Sequence, residues 1–508
     1  MFASLIGRYG SRLLHVSALL FSALYFGGIS LYLSSHRLMW ADEFTGFFVM
    51  TDPSWRHAYQ SWSRAADSGG PLFYLLGHSL VSVFGPHPYV LRLFSAACLW
   101  MAAVLWFEVL RRKLSTLPAL TACGLVWLCN SLFVDHLGQV RYYGLLVLAT
   151  AVAAILMIWV EDHAPRAIVC FLLMYAGSSF LITSHMLGVV FSSFVVAAML
   201  FSRLPRTKKA AAIAGALASW SLILLFRTAI HAGSAAYTWV QMPHATDLLR
   251  YYLHTPFYVS SHPVLSNLVN TLLALLIVCG AFLAKRKLTR NGPGDSGRRL
   301  MLIFSALLLC LPLGMFVLSH AYKPVWVGRY LMPYGLGVAG MCAGALWFAG
   351  DQLSKKTYHL RKRAFAVGAC FLIIALHMLT LREQRLIPYA NIRPYLAASV
   401  RLPLVLQDAD PFLESRYYAA SEGSNLYFVL SRREHGTLNA VLESDYQPGL
   451  MYDDDFFLAH QKFLYLDIPW ARGPFLERWK AQHPDWRIRR VGDLPYQGTS
   501  APLLEVNQ

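Results

Sequence analysis

Charge is scarce in this sequence. Asp, Glu, Lys and Arg make up only 14% of its 508 residues, against about 25% in an ordinary soluble domain. That deficit excludes a conventional water-soluble globule. Acidic residues are scarcer than basic ones, 27 against 44, for a formal charge of +17. The excess is gathered in clusters between apolar segments, at 111–113, 203–209, 285–299 and 355–363. Such placement is the positive-inside pattern of a membrane protein and needs no nucleic acid. The eight cysteines are scattered, mostly in apolar runs, with no CxxC pair and no metal-ligand spacing, and read as core packing. The first apolar segment, 13–35, has no polar stretch with a small-residue cleavage site after it and reads as a retained spanning helix.

What is present is a series of nearly uncharged segments, most approaching the roughly 20 residues needed to cross the hydrocarbon core. With the amino end in the cytoplasm, 13–35 crosses outward. The short stretch 71–84, followed at once by Gly85-Pro86-His87-Pro88, reads as a juxtamembrane or re-entrant helix, because a full crossing would move every later basic cluster to the outer face. Crossings then follow at 89–110, 117–134, 141–160, 168–183, 187–201, 210–226, 265–284, 301–319, 331–349 and 364–379. The expectation is an all-α polytopic membrane protein of about eleven crossings, with all four basic loops inside. Its membrane domain covers 1–380, with an outer first loop at 36–88.

From 381 to 508 the composition changes. Short strands are expected at 402–406, 426–430 and 486–490, with helices at 412–420 and 473–482, giving a small extracytoplasmic α/β domain. The triple acid Asp453-Asp454-Asp455 lacks calcium-loop spacing and reads as a solvated turn.

Ionisable groups at a membrane edge require an explanation, because burying an uncompensated charge there is costly. In this topology they converge on the outer face. Asp42 and Glu43 follow the first crossing directly; one can face an active cavity while the other holds a loop, a basic group or a metal, or both simply cap the next helix. Asp135-His136-Leu137-Gly138-Gln139-Val140-Arg141-Tyr142-Tyr143 forms another outer turn. Its Arg141 lies opposite to the positive-inside preference, which suits an anion better than topology. Thr183-Ser184-His185 is a third turn. His320 to Tyr330 carries the further cations Lys323 and Arg329, which suit a phosphate or diphosphate. His231, His244 and His254 are too irregularly spaced for a dedicated zinc site. Carboxylates, cations and apolar surface on one face suit group transfer from a lipid phosphate. No charged stripe runs through several helices as in a channel, and there are no paired broken helices or repeat symmetry as in a secondary transporter.

The first crossing with Trp40-Ala41-Asp42-Glu43 begins a resemblance to a known family. It continues through Gly70-Pro71-Leu72-Phe73-Tyr74-Leu75-Leu76-Gly77-His78 and Phe84-Gly85-Pro86-His87-Pro88-Tyr89-Val90-Leu91-Arg92-Leu93-Phe94-Ser95-Ala96. Gln139-Val140-Arg141-Tyr142-Tyr143 and Gly328-Arg329-Tyr330-Leu331-Met332-Pro333 complete it. Over about residues 13–380 the chain resembles bacterial members of the GT-C superfamily, nearest to protein O-mannosyltransferases and lipid A aminoarabinose transferases.

The resemblance implies a glycosyltransferase of the bacterial cytoplasmic (inner) membrane. It would use a polyprenyl-phosphate-linked sugar at the extracytoplasmic face, with inversion. Asp42 would be the general base, Glu43 would orient the first loop or the acceptor, and Asp135 would assist with acceptor or cation. Arg141, Lys323 and Arg329 would hold the donor phosphate, with Tyr142, His185, His320 and Tyr330 as further substrate contacts. Gln139 stands where many relatives carry Glu, and no Asp-x-Asp occurs before the carboxy-terminal domain, so a divalent cation is left open. The acceptor, whether lipid, glycan or protein, the sugar and the oligomeric state are not legible. A polyprenyl-linked glycan transporter or flippase without transfer activity is the alternative.

Overall fold

The structure, a computed structural model, describes residues 2–64, 69–226, 240–254, 257, 259, 261–288, 296–351, 355–385, 392–418, 425–430, 446, 450–468, 475–496 and 499–508. His231, part of the basic cluster at 285–299 and the outer ends of the expected helices at 412–420 and 473–482 fall outside these residues. The chain forms two compact units. One comprises Met1–Ser35, Gly69–Arg227 and Trp239–Leu386; the other is built chiefly from His36–Ser68 and Ile387–Gln508. The first outer loop, expected to belong wholly with the membrane helices, therefore divides, and its part from His36 to Ser68 packs within the second unit.

The first unit is a helical membrane bundle. Among the described residues, five helices are long and apolar enough to span: Val16–His36, Pro88–Lys113, Tyr143–His163, Ala167–Ser184 and Ala364–Gln384. Ser296–Leu309 and Leu311–Ala321 form an apolar pair bent by 44°, a broken span or a re-entrant loop; Pro312, in the first turn after the break, has no N–H to continue the ladder. The other apolar helices, including Thr116–Cys129, Gly188–Leu200 and Tyr334–Gly350, are shorter. Leu20, Phe21, Leu24, Phe371 and Ile374 all stand exposed on spanning helices. In water such a surface would be a liability; against lipid it is the expected exterior. The chain is a multi-pass membrane protein.

Loop contacts separate the two ends of the bundle. At one end Lys113 pairs with Asp162, and Arg298 donates to the Lys113 carbonyl at 2.6 Å. Arg299 donates to the Phe201 carbonyl at 3.0 Å, and Glu161 accepts the Arg203 N–H at 2.9 Å. At the other end Gly69 and His185 form an antiparallel bridge, and the Gly70 N–H donates to the Ser184 carbonyl at 3.2 Å. A Cβ on Gly138 would press on Leu33, and the buried Arg92 donates to the Ser34 carbonyl at 3.3 Å. The chain thus enters helix Pro71–Phe84 beside Ser184 and leaves it towards Ser34 at that same end. Fourteen residues reach only about 21 Å, as suits a helix lying at the bundle end.

Helices approach closely where side chains are small, the usual means of packing in lipid. A Cβ on Gly144 would overlap the Ser95 carbonyl, and one on Gly215 the Phe171 carbonyl.

The second unit carries a six-stranded mixed sheet in the order β3-β2-β1-β4-β6-β5. Its strands are β1 Leu404–Val405, β2 Leu426–Leu430, β3 Leu450–Tyr452, β4 Lys462–Leu466, β5 Arg487–Tyr496 and β6 Thr499–Asn507. Neighbours β1 to β4 pair in parallel, while β6 is antiparallel to both β4 and β5. Parallel neighbours need a crossover, which helix Ala409–Tyr418 supplies between β1 and β2. Val405, Val429, Phe463, Tyr465 and Val506 bury against Phe456 and Trp479 from the helices Asp453–Ala459 and Phe475–Gln482. The triple acid is not a free turn. Asp453, Asp454 and Asp455 form the first turn of helix Asp453–Ala459, where carboxylates offset the positive end of the helix dipole.

Candidate functional site

Two clusters hold most of the ionisable groups singled out from the sequence, one in each unit. In the membrane unit the cluster grows from the turn between helices Ser131–His136 and Tyr143–His163. Asn130 starts the first of these by accepting the Leu132 N–H at 2.9 Å. The turn that follows buries Arg141 to 3% exposure. Its guanidinium lies 4.7 Å from the Tyr142 ring centre and 5.5 Å from that of Tyr143, and Nη2 donates to the Tyr142 hydroxyl at 3.2 Å. The two phenol oxygens are 3.2 Å apart.

His185, from the end of helix Ala167–Ser184, packs on Tyr142 at 4.9 Å and on Tyr330 at 5.3 Å. Tyr330 reaches Tyr143 at 6.0 Å from the short helix Gly328–Leu331, which also carries Arg329. His136, which the sequence does not mark as a site residue, completes the group with its ring 5.1 Å from Tyr143. Burial lowers the His136 pKa to about 4, with the positive charges of Arg329 and Arg141 acting in the same direction. Burial, helped by Arg141, lowers His185 to about 3. Both imidazoles are therefore neutral at physiological pH.

Asp135 accepts from the Gln139 amide at 2.7 Å and lies 3.8 Å from His136 Nδ1. That bond needs a donor at position 139, which Gln provides and an ionised Glu does not. Lys323 sits half-buried in the turn after helix Leu311–Ala321, and its partial burial lowers its pKa. His320 is brought elsewhere: it is exposed, stacked 4.4 Å from Phe316, with Nδ1 donating to the Phe316 carbonyl at 3.0 Å.

In the second unit Asp42 and Glu43 occupy the first turn of helix Ala41–Thr51. Glu43 is buried to 1% and its carboxylate accepts the Trp40 N–H at 3.4 Å, while Asp42 is only partly buried. The two acids thus divide as their adjacency requires, one holding the chain and one turned to a different environment. Helix Ala41–Thr51 packs on helix Ala409–Tyr418, with Phe44 and Phe47 each 5.4 Å from Tyr417. Asp410 accepts the Ala41 N–H at 2.6 Å, and the Tyr418 hydroxyl accepts the Met39 N–H at 3.0 Å.

Asp408, Asp410 and Glu414 consequently lie beside Asp42 and Glu43. Burial, with Asp408, Asp42 and Glu43 nearby, pushes Asp410 up to about 6. Burial, with Asp410, Asp408 and Glu43, pushes Glu414 up to about 9. Nothing local in the sequence links these acids to the first loop; only the tertiary packing does. Nearby in the chain, Asp52 accepts from His57 Nδ1 at 2.5 Å and from the Tyr446 hydroxyl at 2.9 Å. Among the described residues no group of three or more His, Cys, Asp or Glu side chains is arranged to hold a metal ion.

No family model matches the sequence, and no curated protein matches it. Solved structures do. ArnT from Cupriavidus metallidurans bound to undecaprenyl phosphate aligns with a TM-score of 0.56 at 14% identity, over 96% of this chain and 97% of that one. The apo state of ArnT aligns at 0.54 and 14% identity, over 98% of each chain. The Archaeoglobus fulgidus oligosaccharyltransferase tethered with an acceptor peptide aligns at 0.45 and 13% identity, over 73% of this chain and 55% of that one. At such identity the ArnT likeness is one of fold, and the fold of this chain is GT-C.

Proposed function

We propose that this chain is a glycosyltransferase that moves a sugar from a polyprenyl-phosphate donor to an acceptor at the membrane surface. The observation that carries the reading is the buried Arg141, bonded to Tyr142 and flanked by Tyr143 and His185, at one end of a membrane bundle. A fixed cation at the lipid boundary suits the phosphate of a lipid-linked donor. The fold shared with ArnT, which has been seen with undecaprenyl phosphate, supports the same reading.

In this proposal Asp42 takes the proton of the acceptor hydroxyl. The acceptor oxygen then bonds to the anomeric carbon as the bond from that carbon to the phosphate oxygen breaks, with inversion. The electron pair leaves with polyprenyl phosphate, whose negative charge Arg141 stabilises, joined by Arg329 and Lys323. The leaving phosphate monoester is a good leaving group near neutral pH, so charge stabilisation matters more than a general acid. Glu43 positions the first loop by its bond to Trp40. The reactive face is assigned to the exterior of a bacterial cytoplasmic membrane, because the opposite end gathers Lys113, Arg203, Arg298 and Arg299. The acceptor would be a lipid, a glycan or a protein.

The test is a transfer assay with purified full-length protein, labelled undecaprenyl-phosphate hexoses and pentoses, and membrane extract as acceptor. Wild type should release undecaprenyl phosphate with label on an acceptor. Asp42→Asn should lose at least about 100-fold in rate, the scale of a general base, and keep donor binding; Arg141→Ala should weaken binding and transfer together. Normal transfer by both variants would refute the mechanism, and donor binding without turnover by wild type would favour a carrier-lipid transporter.

A further inference from the structure

His136 and His185 lie in turns at the same end of the bundle, 4% and 1% exposed. They touch one aromatic group, His136 on Tyr143 and His185 on Tyr142, Tyr143 and Tyr330. Their backbone partners are of opposite kind. His136 Nδ1 lies 2.8 Å from the Leu132 carbonyl, which can only accept, so Nδ1 carries the proton and Nε2 is a bare acceptor. His185 Nδ1 lies 2.9 Å from the Leu187 N–H, which can only donate, so Nδ1 is bare and Nε2 carries the proton. Among the described residues both Nε2 atoms are buried without a hydrogen-bond partner. Gln139 adds a third such atom, since its amide nitrogen is given to Asp135 and its buried Oε1 has no partner. Buried polar atoms are rarely left in this state, and the Arg141 charge acts on both imidazoles.

We propose that the two histidines are a tautomer-locked pair that reads the two halves of the donor head group: His185 Nε2–H donates to a non-ester phosphate oxygen, and His136 Nε2 accepts from a sugar hydroxyl. The assignment rests on the proposed function and deepens it. An N–H beside Arg141 matches an anion. A bare nitrogen lone pair repels a phosphate oxygen and requires an O–H, which the sugar carries and a polyprenyl phosphodiester lacks. Gln139 Oε1 is a second acceptor for the same sugar, anchored through Asp135. The groups facing His136 are Asp135, Arg141 and Arg329, and Arg141 faces His185. With both rings held neutral by burial and these cations, each keeps its single role across the physiological range.

The experiment is equilibrium binding to the full chain in lipid nanodiscs. The probes are undecaprenyl phosphate and a panel of undecaprenyl-phosphate hexoses and pentoses, from which the sugar that wild type binds most tightly is taken forward. His185→Phe should weaken undecaprenyl phosphate and the sugar-bearing probe alike, by about 10- to 100-fold, the effect of a hydrogen bond to a charged group. His136→Phe should leave undecaprenyl phosphate unchanged and remove about three- to tenfold of the affinity added by the sugar. His185→Gln and His136→Gln, which keep a polar group in place and guard against misfolding judged by thermal melting, should retain part of each effect. Wild-type phosphate binding by His185→Phe would overturn the proposal. So would equal losses on both probes by His136→Phe, or a wild type that gains nothing from any sugar. A wild type that binds none of the probes would overturn the proposed function and this inference together.

Discussion

Asp410 accepts the backbone N–H of Ala41 at 2.6 Å, joining positions 369 residues apart. The carboxylate stands at the N-terminus of helix Ala41–Thr51, where the first N–H groups have no partner inside the helix and the dipole favours negative charge. It anchors the turn that presents Asp42. Asp410→Ala should cost about 1–2 kcal/mol and lower transfer by releasing that turn, whereas Asp410→Asn, which keeps an acceptor, should stay closer to wild type. Thermal unfolding and the transfer rate, measured on both variants, check this; equal behaviour of the two would deny Asp410 the anchoring role.

Glu414 makes the stability of the same region depend on pH. Its pKa is raised to about 9 and that of Asp410 to about 6. A carboxyl with a raised folded-state pKa contributes stability that is complete below its unfolded value and is lost as pH rises through the folded value. Stability should therefore fall from about pH 4 to 6 through Asp410 and on towards pH 9 through Glu414. Glu414→Gln removes the second charge without changing shape and should raise the melting temperature at pH 9 by about 2–4 °C, with little effect at pH 5. A wild type that becomes more stable from pH 5 to pH 9 would contradict this.

Gln139 donates to Asp135, so a carboxylate cannot replace it without placing two negative charges in contact. Gln139→Glu should destabilise the turn and slow transfer, with recovery as the pH falls and the like-charged pair takes up one shared proton. The pH profile of transfer, variant against wild type, is the measurement, and parallel profiles would count against the contact.

Gly144 lets helix Tyr143–His163 lie against the Ser95 carbonyl, while Gly28 has no atom within 4 Å of where a Cβ would stand. Gly144→Ala should destabilise by about 1–3 kcal/mol, the cost of overpacking a close contact. Gly28→Ala, facing outward from its helix, should be neutral. Melting of both variants in one detergent separates local packing from a general intolerance of alanine.

Much of the fold was legible because lipid imposes a simple rule. A scarcity of charge, long apolar segments and basic clusters between them follow directly from the cost of burying ions. The reading of 71–84 as a juxtamembrane or re-entrant helix rested on its short length, the Gly-Pro turn after it and charge bias; Gly70 bonds to Ser184 and Arg92 to Ser34 at one end of the bundle. The small sheet was harder to read. Strand β1 has two residues, β4 is a lysine followed by four apolar residues, and β5 and β6 contain Pro495 and Pro502. Such segments are strands only because neighbours pair with them, and β4 and β6 carry no clear alternation of their own. The triple acid looked like a turn because its helix, Asp453–Ala459, is too short to show a period.

The candidate site divides in the same way. Arg141, Tyr142, Asp42 and Glu43 stood out because a cation on the wrong side and adjacent carboxylates after a crossing are anomalies of local order. His136 did not, since one histidine in a polar turn carries no signal; its bare Nε2 exists only because Leu132 offers a carbonyl to its other nitrogen. By itself the sequence determined that the chain lives in a membrane, which segments are apolar and where charge is out of place, because these depend on composition and spacing along the chain. Only the tertiary structure decided that residues 36–68 pack with the carboxy-terminal residues, that Asp410 and Glu414 crowd Asp42 and Glu43, and which nitrogen of each histidine the backbone takes. Those depend on partners 369 residues away in the chain or merely two or four, and a hydrogen bond is chosen by distance and direction in space, which local order does not encode.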